Sequence, residues 1–493
     1  MAIDMSAIAR VVGVDVVPRD LRQGGVLFLP QRIAVFAQGA SSAVYSTDKF
    51  QATSAAQVGA KLGYGSPAHL IAKQLLPANG DGVGTIPVTY YPLLDAGSSA
   101  AAEGAITPIG SPTSGGVYRV SVNGVLSEPF VIPTGATIAA INASIEAALQ
   151  AVLDMPVTAE ASATEVTLTS KWKGASANAL RVEVLGDDHG VTFTVTQPTG
   201  GLLNPSLTAA LAKIGNVWET LVLNALDIAD TDALDALHDV GESRWGELVR
   251  KPFIAFTGNT AATVAAATTV SATRRDDRIN AQLVSPGSSD LPCVVAARQL
   301  ARIAKVANNN PPTDYGSQRA TGLTPGVDAD QWDYLARDQA LKAGSSTVEV
   351  KDGVVNIGDV VTFYRPTGEQ HPAYRFVVDI IKLQNVIFNL DLIFAVPEWD
   401  GAPLIPDDQP TVNPLARRPK SAVAEVAAML DSLGLNALIS DPKTAKKKTR
   451  ASIHPQNPKR LDLETVVQLS GNTNIKGITL GFGFYFGAQA QVA

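Results

Sequence analysis

Catalysis, metal binding and nucleotide binding each need particular side chains at particular spacings, and this sequence offers few of them. Its five histidines, His69, His189, His238, His371 and His454, never stand at i, i+3 or i+4, and no His-Glu-x-x-His or Cys/His cluster accompanies them. Metal catalysis therefore lacks a ligand set. Cys293 is the single cysteine and is flanked by Leu291, Pro292, Val294 and Val295. That setting suits a packed residue at a helix start rather than a nucleophile, and one cysteine cannot close an intramolecular disulfide. No Gly-x-Ser-x-Gly elbow is present. The loop Asn79-Gly80-Asp81-Gly82-Val83-Gly84 contains Gly-x-Gly but lacks the third spaced glycine and opens no helix. It fails as a dinucleotide fingerprint and reads as a turn ahead of a strand. These observations imply no cofactor.

Two charged stretches remain. Arg274-Arg275-Asp276-Asp277-Arg278 balances its own charge and reads as a solvated loop. Lys443, Lys446, Lys447, Lys448, Arg450, Lys459 and Arg460 lie in a span with no acid between Pro442 and Arg460. That tract is either a solvated loop or an attachment surface for an acidic partner. Nucleic acid is disfavoured, because His454 is its only ring-bearing residue and the whole chain carries a net charge of -7.

The elements that would position these residues alternate between strands and helices. At 493 residues the chain exceeds what one core supports, so several domains are expected. Strands at Gln31 to Gly39, Thr85 to Tyr91, Thr220 to Asn224, Phe253 to Thr257 and Ile279 to Val284 alternate with helical spacing over Thr53 to Leu62, Ala68 to Leu76, Asp230 to Glu247, Thr260 to Arg274 and Pro292 to Ala307. This pattern predicts a layered, mostly parallel or mixed sheet. An Ala/Gly/Ser stretch from Asp95 reads as a linker into an inserted β-rich module, 96–203, with a hairpin at Asn123-Gly124 and acids outnumbering bases nine to four. Beyond 345 follow a hairpin turning at Asp352-Gly353, a long amphipathic helix over Tyr374 to Phe394, and a last helix from Ser421 to Leu433 with Gly434 as its stop.

The predicted fold class is thus α/β (α+β mixed) and multidomain. It comprises an arm at 1–22, a discontinuous α/β core at 23–95 and 204–345, the insert, a C-terminal α+β domain at 346–470 and a strand arm at 471–493. The first arm carries Ile8, Val11, Val12, Val14 and Val16, and the last carries Ile475, Ile478, Leu480, Phe482, Phe484 and Phe486. Both read as strands with no adjacent partner, which must join a sheet of their own domain or of a neighbour. Met1 to Arg22 has Asp4 and no continuous apolar core, and no run of about 18 apolar residues occurs. The expectation is a protein without signal peptide or membrane insertion, in a reducing cytoplasm.

The order of these features resembles the contractile tail sheath proteins of phages, most of all those of Mu-like phages. Gly24 to Pro30 followed by Gln31 to Ala40 looks like the family's opening strand, and Thr53 to Val58 through Leu62 to Ser66 like its next helix and glycine turn. Lys173-Gly174-Ala175-Ser176-Ala177-Asn178 and Gly471-Asn472-Thr473-Asn474 into Ile475 to Phe486 are similar to further family stretches. The resemblance implies a non-enzymatic virion subunit, made in the host bacterial cytoplasm, that polymerises helically around a tail tube. It implies arms that add strands to neighbouring copies, contraction without nucleotide hydrolysis, and contacts with tube, baseplate and terminator proteins. On this view Lys443, Lys446, Lys447, Lys448 and Arg450 face the tube. The readings from another class are a tube or capsid-like component, and an α/β enzyme with a lid insertion.

Overall fold

The computed structural model describes residues 27–368, 373–473 and 480. The core opens with strand β1 (Ile33–Gln38), the short β2 (Phe50–Ala52), helices α1 (Ala55–Leu62) and α2 (Pro67–Leu75), and β3 (Val88–Leu93). Ser54 and Ser66 start the two helices, their hydroxyls accepting the Gln57 and His69 amides. The insert supplies β4 (Ala101–Gly110), β5 (Gly116–Val122), β6 (Val125–Leu126), β7 (Phe130–Ile132), α3 (Ile138–Gln150), β8 (Val157–Ala161), β9 (Val166–Lys173), β10 (Val182–Leu185) and β11 (Val191–Thr199). The core then resumes with α4 (Thr208–Ala212), β12 (Leu221–Asn224), α5 (Thr231–Trp245), β13 (Ile254–Asn259), α6 (Val264–Ala267), β14 (Asn280–Val284) and α7 (Pro292–Asn309).

The six core strands form one sheet in the order β14-β13-β12-β1-β3-β2, parallel except for β2. Alternation along each strand decides which face is served. Ile33, Val35, Leu221, Leu223, Ile254 and Phe256 pack with α2 and α7, while Ala34, Phe36, Val222, Phe253 and Ala255 pack with α4 and α5. Both faces are covered, which is why these strands read as continuous apolar runs. The insert folds as two antiparallel sheets around α3, with β11-β4-β9-β8 as one of them. Its predicted hairpin is present: Asn123 and Gly124 take φ of 48° and 79°, as the two-residue turn between β5 and β6 requires.

The remaining elements are α8 (Tyr334–Lys342), β15 (Val348–Lys351), β16 (Val354–Ile357), α9 (Val377–Phe394), α10 (Pro419–Leu435), α11 (Pro442–Lys448), β17 (Arg450–His454) and β18 (Asn457–Glu464). Helix α9 joins two apolar clusters. Val377, Val378, Ile380 and Ile381 belong to the main core, and Val386 packs with Val426, Leu430 and Leu433 of α10.

Several local expectations are corrected. The supposed linker after Asp95 is strand β4 from Ala101 onward. Its small residues reflect close approach rather than flexibility, since a Cβ on Gly104 would stand 2.6 Å from the Thr196 carbonyl of β11. The Ala-rich helix over Thr260 to Arg274 shrinks to one turn, α6. The Thr268 and Thr269 hydroxyls beyond it bond back to the Val264 and Ala265 carbonyls, and β-branched residues favour helices poorly. The Asp328 to Ala343 helix is broken, with α8 starting at Tyr334 behind its Asp333 cap. Gly434 does not stop the last helix. It lies inside α10 beneath the ring of Pro442, and Ala437 takes the positive φ of 56° beyond the end.

Candidate assembly site

The sequence-predicted chemical residues are dispersed and structural. Burial pushes the Cys293 thiol up to about 12, so it stays protonated inside the start of α7. The His69 ring accepts the Gly65 amide at Nδ1, leaving Nε2 3.7 Å from Asp154. Burial holds His69 below its ordinary pKa, although Asp154 opposes the shift. A cleft of about 420 Å³ between core and insert is lined by Lys73, Asp154, Asp290 and Thr324 among others. Its carboxylates already have partners: Lys73 at 2.5 Å from Asp154, and the Thr324 amide at 2.6 Å from Asp290. Asp81 in the glycine loop is gripped from α7 by Lys305 at 2.6 Å and by the Arg302 guanidinium, which lower its pKa; sequence reading missed this pin.

The Arg274–Arg278 stretch is also not a solvated loop. Asp277 is 4% exposed and accepts the Ile279 and Asn280 amides at 3.0 Å, with His238 at 3.2 Å. Arg278 donates to Glu242 at 2.8 and 2.6 Å while its guanidinium lies over the rings of Trp245 and Tyr374 at 4.8 and 4.7 Å. Arg274, Asp277 and Arg278 thus bind partners distant in sequence, Asp235, His238 and Glu242, while Arg274 also pairs with Asp277 and Arg275 and Asp276 stay exposed.

What remains exposed and unusual is the C-terminal region. The basic tract is helix α11 followed by strand β17, not a loop. Asp441 caps α11 by accepting the Thr444 amide at 3.0 Å, and the Thr444 bonds, aided by Lys443 and Lys447, hold its carboxyl below the ordinary range. Ala445 is buried against α10 and the Pro442 ring covers Gly434, so Lys443, Lys447 and Lys448 are left on the outward side of this short helix. Lys443, Lys447, Lys448 and Arg450 are exposed. Lys446 is half-buried and bound to Asp431 of α10 at 2.6 and 2.8 Å, so its charge is locally matched.

Strands β17 and β18 form a two-stranded antiparallel sheet, Arg450 facing Glu464 and Ile453 facing Leu461. No third strand joins it among the described residues. Leu463, Val467 and Leu469 lean on the α9–α10 cluster. Among the described residues, the outer edge of each strand thus lacks a strand partner. The strand residues Ile8, Val11, Val12, Val14, Val16, Ile475, Ile478, Phe482, Phe484 and Phe486 lie outside the described residues. Leu480 is described, 80% exposed and in no regular element.

No family model matches the chain. The Mu-like prophage FluMu tail sheath protein of Haemophilus influenzae is 25% identical over 307 residues, which is 61% of this chain and 62% of the relative's length. The chain is similar to a phage tail sheath protein. The match thus spans less than two thirds of that relative. Solved structures of similar outline include the sheath tail protein of Listeria innocua, 12% identical, covering 92% of this chain and 95% of that one at a TM-score of 0.49. Another is the sheath tail protein of Desulfitobacterium hafniense, 12% identical, covering 93% and 100% at a TM-score of 0.45. The likeness to Mu-like sheaths expected from the sequence is therefore found in a curated relative. No helix among the described residues is long and apolar enough to cross a membrane.

Proposed function

We propose that the chain is a structural subunit of a contractile phage tail sheath that polymerises around a tail tube by strand addition between copies. The observation that carries this reading is the β17–β18 sheet with both edges unpaired among the described residues, next to an exposed row of lysines. A two-stranded sheet is marginal by itself, and strand addition supplies main-chain hydrogen bonds without matched side chains. The alternating apolar residues of the two arms suit that role, and the similarity to a Mu-like sheath supports it. Contraction is then a switch between two lattices of the same subunit, with energy stored at assembly and no enzymatic step. Its partners are further copies, the tail tube protein, and baseplate and terminator proteins in the virion.

Electron micrographs of the purified protein test this. The full chain is expected to form long, wide hollow tubes, and a chain lacking residues 1–22 to remain a folded, dispersed monomer. Unchanged tubes from the shortened chain would remove the strand-addition mechanism. Narrow tubes from the full chain would instead favour a tail tube protein.

A further inference from the structure

Helix α9 reads as amphipathic, yet its polar residues point inward: Lys382, Gln384 and Asn385 are 0% exposed and Asn389 6%. An ammonium in such a place is tolerated only when its N–H groups are satisfied. Lys382 Nζ donates to the Ser470 carbonyl at 2.6 Å, to Asn472 Oδ1 at 2.6 Å and to Asp379 Oδ1 at 3.0 Å, which uses all its donors. Asn472 in turn donates to the Pro312 carbonyl at 2.8 Å. One turn further along, Asn385 Oδ1 accepts the Leu29 amide at 2.8 Å, and Asn389 donates to the Leu27 carbonyl at 2.9 Å. Residues at i, i+3 and i+7 share one stripe of a helix. This one therefore holds the chain just after residue 26 and just before residue 474. Phe28 and Leu469 also pack on the same cluster, with Val386 and Leu390 of α9.

We infer that Lys382, Asn385 and Asn389 act together as a clamp on the roots of both arms, so that loosening either root loosens the other. Asp379 supplies the counter-charge, and Ser470 and Asn472 satisfy the two remaining N–H groups of the buried ammonium; without those two the helix must shift to hydrate Lys382, and that shift moves the Asn385 and Asn389 groups that hold Leu27 and Leu29. All three are positioning residues. The inference rests on the sheath reading for its purpose. With both roots held by one helix, the spacing between the strands a subunit sends to different neighbours is set inside that subunit.

Hydrogen exchange on the unassembled full chain tests the coupling, whatever the chain later builds. The probes are the Leu29 amide, bonded to Asn385, and the Ser470 amide, bonded to the Leu438 carbonyl at 3.2 Å. Lys382→Met should accelerate exchange at both by about 3- to 10-fold, the range of one net hydrogen bond lost at each root, while Leu223 in the core stays unchanged. Asn389→Ala, entering from the other root and leaving Lys382 intact, should produce the same paired acceleration. Lys382→Gln keeps two donors and should fall between wild type and Lys382→Met. Acceleration at only the root beside the mutated residue, or at neither, overturns the clamp. Lys382→Gln exchanging as fast as Lys382→Met overturns its assignment to donated hydrogen bonds. A normal clamp in a chain that forms no tubes would count against the sheath reading alone.

Discussion

Every residue of β1, β3, β12, β13 and β14 is buried, whereas β17 and β18 contain no fully buried residue. Their edges differ as well. The core sheet ends on one side in the three-residue β2, and on the other it is covered where the Phe363 amide bonds the Asn280 carbonyl at 3.0 Å. The β17–β18 pair has neither protection among the described residues. Short or covered edges keep a sheet from recruiting another chain, and open edges invite it. Burial is thus concentrated in the core, and the unpaired edges proposed for assembly lie in the C-terminal hairpin among the described residues.

That division fails if core and hairpin substitutions have similar effects. The largest expected effect is from Phe256→Ala in β13, fully buried on the α7 face. It should lower folding stability by about 3–5 kcal/mol, read from the urea midpoint. A loss below about 1 kcal/mol would mean the core tolerates voids that a close-packed sheet should not. Next comes Asp277→Asn, which weakens the buried network under β14 at an expected cost of about 2–3 kcal/mol.

Its pH dependence sharpens the same contrast. Burial pushes the Asp277 carboxyl up, but hydrogen bonds from His238 and Asn280 outweigh it and leave the pKa below the ordinary value. The Asp277 contribution is therefore present at neutral pH and is lost as pH falls through the lowered value. The hydrogen bond to Asp277 raises the His238 pKa against partial burial. The His238 contribution is complete below the ordinary histidine value, about 6.5, and is lost as pH rises through the raised one. Thermal unfolding followed from pH 3 to 9 should show both slopes in the wild type and shallower ones in Asp277→Asn, where the acid slope that remains comes from carboxylates such as Asp81. Identical profiles would dismiss the pair as a source of stability.

The smallest effect on folding belongs to the surface. Glu at Lys446, Lys447 and Lys448 together removes one half-exposed ion pair, to Asp431, and should cost less than about 1 kcal/mol. Cosedimentation with a purified tail tube polymer should nevertheless weaken, and added salt should weaken wild-type binding in the same direction. Unaltered cosedimentation would return these lysines to a merely solvated face.

The parts of the fold legible in sequence are those with a strong local cause. Ser54, Ser66 and Asp230 mark helix starts by accepting amides three residues on. Asn123-Gly124 and Asp352-Gly353 turn their hairpins with positive φ at both positions. Continuous apolar runs revealed the two-sided core strands. What misled was composition with a nonlocal cause. Gly104 of β4 sits where its sheet neighbour β11 shifts register and brings Thr196 and Pro198 close, and the lysines of α11 hid a helix whose only buried side chain is Ala445. The inward polar stripe of α9 could have been suspected from Lys382, Asn385 and Asn389 sharing a face, but their partners lie 88 to 362 residues away in sequence. Alternation indicated only unpartnered strands, assembly by the arms was what the resemblance to tail sheaths implied, and nearly all of those residues fall outside the described part of the chain.

The insert joins the core through a narrow neck, where the Ala100 and Leu202 amides each bond the other's carbonyl at 3.2 Å. The insert is further tied to the core by Lys73 to Asp154, by Gln38 to the Lys173 carbonyl, by Asn123 to the Ser289 carbonyl and by a shared apolar cluster. Chain ends held this near can be rejoined by a tight turn at little entropic cost. Because both chain ends of the insert meet at one place, the strand order of the six-stranded sheet does not depend on how long that excursion is; what the excursion must preserve is the surface it packs on the core.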